Sequence, residues 1–63
     1  MMKVNYFKMH CQSVEYYLAG ERDDPIICTT ESIAKKLERK YNIKMVKVKP
    51  IKEEVGLYLF EIQ

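Results

Sequence analysis

Residues 3–20, "KVNYFKMHCQSVEYYLAG", are the stretch on which the fold class turns. Residues 3–11 are rich in aromatic and β-compatible side chains and read as a strand. Gln12-Ser13 interrupts the pattern, and "VEYYLAG" resumes it as a second strand that ends at Gly20. Gln12-Ser13 lacks the glycine of the favoured two-residue turns, so this hairpin rests on the interruption alone.

Working outward, "GERDDP" is a loop, with glycine, clustered charge and then Asp24-Pro25. Pro25–Cys28 adds a short extended piece. A helix follows, beginning after Thr29 or Thr30, whose hydroxyls can cap a free backbone N–H, and Glu31 suits the first turn. Ile33, Leu37 and Tyr41 recur at i, i+4 and i+8 with Ala34 beside them, one stripe within about 100° of arc. Asn42 tolerates the left-handed conformation that ends a helix. "KMVKVKPIK" alternates Val46 and Val48 inward with Lys47 and Lys49 outward, as a strand does. Pro50 cannot donate to a ladder, so this strand lies at an edge or ends there. Glu53–Gly56 turns the chain, and "LYLFEI" is the last strand.

The expected fold is therefore α+β, one small domain over residues 1–63 in the order β-β-α-β-β. It is a four-stranded, mainly antiparallel sheet with one helix on one face. The expected core is Phe7, Met9, Val14, Tyr16, Leu18, Ile27, Ile33, Ala34, Leu37, Tyr41, Val46, Val48, Leu57 and Leu59. A one-residue register shift in the first two strands would exchange every member there.

The composition is globular: 48% hydrophobic and 32% charged. A chain of 63 residues buries only about 60% of the surface its unfolded form exposes, so a partner surface is valuable to it. The last strand is apolar on both sides, with Leu57 and Leu59 opposite Tyr58, Phe60 and Ile62. Strands apolar on both faces are usually covered on both, and one helix covers one. The row Tyr58, Phe60 and Ile62 is thus the candidate interface, for a second copy of the chain or another protein.

Chemistry is sparse. His10 adjoins Cys11, and neighbours on a strand point to opposite faces, so they form no ready thiolate–imidazole pair. His10, Cys11 and Cys28 are too few, and wrongly spaced, for a structural zinc site. Two cysteines are too few for a disulfide scaffold, and their apolar neighbourhoods suit reduced, buried thiols. Two glycines cannot make a phosphate loop. The expectation is a protein that is not an enzyme, with no cofactor, metal or small-molecule substrate. No apolar run approaches the roughly 18 residues of a membrane span, and the N-terminus lacks a signal-peptide core, which points to the cytoplasm.

Charge is the remaining signal. Net charge is +2, yet residues 35–52 hold eight of the eleven lysines and arginines and one acid, Glu38. Lys35, Lys36, Arg39 and Lys40 lie away from the apolar stripe within about 140° of arc, with Glu31 and Glu38 on the other flank. With Lys44, Lys47 and Lys49 they make a candidate polyanion-binding surface, where rings on the sheet could stack bases. Against this, lysine commonly guards edge strands and suits the last turn of a helix. "TTESIAKKLE" resembles the first helix of helix-turn-helix proteins, but a strand-like segment follows it and no recognition helix does. The function expected from sequence is a small cytosolic binding module acting as a homodimer or through a protein partner. The alternative is a nucleic-acid-binding accessory protein using the basic helix and third-strand lysines.

Overall fold

The computed structural model describes residues 5–63. Its elements are α1 (Tyr6–Leu18), β1 (Ile26–Thr30), α2 (Glu31–Tyr41), β2 (Met45–Lys52), a 3-10 turn at Glu53–Val55, and β3 (Leu57–Ile62). The fold is α+β, but with two helices and a three-stranded antiparallel sheet of order β1-β3-β2. The expected four strands and single helix are overturned at the N-terminus, where one helix stands in place of the hairpin. The expected strand over residues 3 and 4 lies outside the described residues.

Local chemistry explains α1. Asn5 caps it, its side chain accepting from the Lys8 N–H at 3.0 Å. No glycine or proline interrupts residues 6–18, so Gln12-Ser13 passes as ordinary helix. Gly20 ends it at φ 79°, with its N–H bonded to the Tyr17 carbonyl and the Glu21 N–H to the Tyr16 carbonyl. That pair of bonds is a Schellman closure, for which glycine is the preferred residue. Phe7, Cys11 and Val14 then fall on one side of the helix and pack into the core.

The rest follows the sequence closely. The extended piece expected at Pro25–Cys28 appears as β1, which begins at Ile26 and runs on to Thr30. The Thr30 hydroxyl accepts from the Ile33 N–H, and Asn42 closes α2 at φ 54°, ψ 48°. Because β1 and β2 both run antiparallel to β3, they are parallel to each other, and α2 carries the chain across β3 between them.

Both helices pack on one face of the sheet. Cys11, Val14, Ala34 and Leu37 meet Ile27, Met45, Phe60 and Ile62 in the core, and Thr29 is buried among them. Several expected core residues are therefore misplaced. Met9, Tyr16, Leu18, Val46 and Val48 are exposed, and Leu57 and Leu59 are half-buried on the far face. On β3 the inward phase belongs to the bulkier row, Tyr58, Phe60 and Ile62, which offers more apolar area to bury than two leucines.

Candidate interaction surface

β1 and β2 form the two edges of the sheet, and they are finished differently. β2 carries Pro50, Lys47, Lys49 and Lys52, and its pairing with β3 slips at Val48 and again at Ile51. Proline, lysine and bulges are the usual means of stopping an edge from pairing. β1, "IICTT", has none of them.

The phase of β1 is fixed by the bond from the Ile62 N–H to the Pro25 carbonyl at 3.0 Å. In the antiparallel ladder hydrogen-bonded pairs alternate, so Ile27 and Thr29 bond to β3 while Ile26, Cys28 and Thr30 turn their backbone groups outward. At Ile26 those groups are engaged locally: the N–H donates to Asp24 Oδ1 at 2.9 Å, and the carbonyl accepts from Arg22 at 3.3 Å. Cys28 has no such cap among the described residues.

Beside this edge α1 presents a second stripe. Tyr6, Met9, Ser13 and Tyr16 recur at helical spacing, and Tyr6, Met9 and Tyr16 are 63%, 53% and 54% exposed. Between stripe and strand runs a groove in two parts that share Met9, His10 and Cys28. One part, of about 470 Å³, lies by Tyr6, Thr30 and Leu57; the other reaches Tyr16, Arg22 and Ile26. α1 therefore runs antiparallel to β1, with the middle of its stripe level with Cys28.

The residues singled out from sequence are distributed otherwise. Phe60 and Ile62 lie beneath the helices, each 4% exposed, and Tyr58 is half-buried beside them, its ring edge-on to Phe60 at 6.3 Å. The row expected to face a partner is thus committed to the monomer's own core. The uncovered face is the opposite one, with Leu57 and Leu59 on β3, Cys28 on β1 and Val46 on β2.

Lys35, Lys36, Arg39, Lys40 and Lys44 are exposed. Lys36 approaches the ring of Phe7 at 5.9 Å, and Lys40 that of Tyr41 at 5.7 Å. Lys47 and Lys49 do not share a face as expected. Lys47 pairs with Phe60 on the helix side, over the Tyr58 ring at 4.1 Å and ion-paired to Glu31. The slip at Val48 then sets Lys49 opposite Leu59, on the other side. The acids of α2 are used internally as well: Glu38 accepts from the Met45 N–H at 2.8 Å, fixing the start of β2.

Among the described residues four ionisable groups are shifted. The Glu31–Lys47 pair, through its hydrogen bond and mutual charge, lowers the Glu31 carboxyl and raises the Lys47 ammonium. Desolvation raises the Tyr41 hydroxyl above its ordinary value, helped by its hydrogen bond to Glu15 Oε2 at 2.5 Å and by the Cys11 side chain; the same hydroxyl lies 3.3 Å from the Cys11 carbonyl. Burial lowers His10.

Cys11 is buried, as expected, but Cys28 is exposed, and both are free thiols. His10 and Cys11 sit side by side on a helix rather than on opposite faces of a strand. Among the described residues no group of three or more His, Cys, Asp or Glu could hold a metal ion, and no helix is long and apolar enough to cross a membrane. The α1–β1 groove escaped the sequence reading because its signal, the 6-9-13-16 spacing, means nothing on a strand. Comparison of the chain with protein-family models, curated proteins and solved structures finds no match.

Proposed function

We propose that this protein is a small, non-enzymatic, cytoplasmic binding module that acts as a homodimer. One observation carries the reading: an apolar helix stripe lies beside a sheet edge that bears none of the usual protections. Exposed apolar residues scattered singly call for no explanation. Here Tyr6, Met9 and Tyr16 are collected along one line and border a groove that continues to the backbone of β1. Contiguous apolar surface of that kind marks association sites. The short chain adds weight, since self-association supplies burial that a 63-residue core lacks.

Sedimentation of the full chain across the micromolar range is the test. A dimer whose population grows with concentration supports the reading; a well-folded monomer at all concentrations refutes it. A second reading draws on α2, where Glu31 and Glu38 are engaged with β2 and leave Lys35, Lys36, Arg39 and Lys40 exposed. Under that reading the four cations contact a nucleic-acid backbone. Affinity would then fall steeply with added salt, whereas apolar association would not.

A further inference from the structure

We propose that two copies of this chain join edge to edge through β1, antiparallel about a two-fold axis at Cys28, to make one six-stranded sheet. This rests on the self-association reading and specifies its geometry. The bonding inventory of the edge selects the partner. Among the described residues the outward donors left uncapped are the N–H groups of Cys28 and Thr30; the Ile26 N–H is already given to Asp24. The outward acceptors are the Cys28 carbonyl and the Ile26 carbonyl, which keeps a second lone pair beside its bond from Arg22. With Cys28 opposite Cys28 of the second copy, those two residues exchange both bonds. Thr30 then falls opposite Ile26 of the second copy and donates to its carbonyl. Every free donor finds an acceptor. Sliding the register by two residues either way strands one donor or directs one at a carbonyl that α2 already uses.

The same axis suits the helices. α1 is antiparallel to β1 and its stripe is centred level with Cys28. The two-fold therefore sets the stripes against each other, Tyr6 of one copy toward Tyr16 of the second, across the groove. Charge agrees. The loop before β1 holds Glu21, Asp23 and Asp24 against Arg22, and antiparallel pairing brings it to the start of α2 in the second copy. There it meets Lys35 and the positive end of the helix dipole. Glu31 is drawn aside to Lys47. Self-complementary donors, stripe and charge all favour a second copy of this chain over an unrelated strand.

Cys28→Pro isolates the edge. Proline is tolerated where a strand's N–H faces outward, so the monomer fold should survive while pairing is blocked. The expected result is native circular dichroism with a dimer dissociation constant raised at least about tenfold. A short bismaleimide should link the wild-type dimer through Cys28, leave buried Cys11 unreacted, and fail to link Cys28→Ser. A Cys28→Pro variant that remains a wild-type-strength dimer, or a wild-type dimer that does not cross-link, overturns edge pairing and leaves self-association standing. A wild type that never dimerises overturns the broader reading instead. Should Cys28→Pro not fold, Met9→Glu with Tyr16→Glu serves in its place. Both positions are exposed in the monomer, and a folded double variant that still dimerises refutes the interface.

Discussion

Phe60→Ala and Leu59→Ala, neighbours on β3, test the central assignment of faces. Phe60 is 4% exposed beneath the helices, and its ring meets Tyr58 edge-on at 6.3 Å. Truncating a buried phenylalanine to alanine costs about 3–5 kcal/mol, through lost transfer energy and the cavity left behind. At about 0.05–0.15 kcal/mol per residue, a chain of 63 residues has total stability of roughly 3–9 kcal/mol. Phe60→Ala should therefore remove most of it, and Phe60→Glu, which buries a charge, should leave no folded state. Leu59 points to the uncovered face and is half-buried. Full burial of leucine is worth about 1.5–3 kcal/mol, so its truncation should cost about 1 kcal/mol. Urea titrations followed by circular dichroism, at one fixed protein concentration, give both values from the midpoint and slope. A larger loss for Leu59→Ala than for Phe60→Ala would mean that the helices cover the other side of the sheet, and would refute this assignment of faces.

Thr29 is 2% exposed and its hydroxyl has no hydrogen-bond partner among the described residues. Thr29→Val, similar in shape and without the unpaired group, should raise stability by about 1 kcal/mol in the same titration, and a loss would reveal a missed partner. The Tyr41 hydroxyl joins α2 to Glu15 and the Cys11 carbonyl on α1. Tyr41→Phe should cost about 1 kcal/mol, seen as a melting temperature lower by about 4–8 °C, and an unchanged value would refute the link. Burial lowers the His10 pKa from 6.5, so the unfolded chain takes the proton first as pH falls. Stability owed to neutral His10 is complete above pH 6.5 and declines as pH drops toward its lower folded value. His10→Gln should flatten that part of the stability–pH curve, and an identical slope in the variant would count against it.

How much of this was legible in the sequence depends on how charge is placed within each segment. In α2, lysine, arginine and glutamate fill the positions between Ile33, Leu37 and Tyr41, so only one period fits, and both caps were readable at Thr30 and Asn42. In α1, tyrosine and methionine also occupy the outward positions, and an alternating pattern matches nearly as well as a helical one. The decisive signals there were the punctuation marks: Asn5 before the segment, Gly20 after it, and no breaker between. β3 was placed correctly, yet apolar residues on both sides gave no means of choosing its inner face. Leu57 and Leu59 were expected inward together with Val46 and Val48, and the slip at Val48 means that β2 keeps no single phase along its length. A bulge is set by how two strands fit together, and the local sequence of one strand does not encode it.

The candidate surface was hidden for a related reason. Whether an edge is protected can be judged only when its strand is known to be an edge, and β1 becomes one because the chain inserts β3 between it and β2. Once that topology is given, the contrast carries the argument. β2 combines lysines, a proline and two slips, a set of devices that keeps neighbours away. The sequence thus has the means to close an edge and uses them on one side. On the other it places a five-residue strand with an uncapped midpoint, flanked by tyrosine and methionine from α1. Arg22 and Asp24 engage the strand only at Ile26, where an antiparallel copy still requires a carbonyl but no N–H. A cap meant to blunt the whole edge would cover Cys28 as well, and this one leaves Cys28 open while keeping the lone pair that two-fold pairing uses.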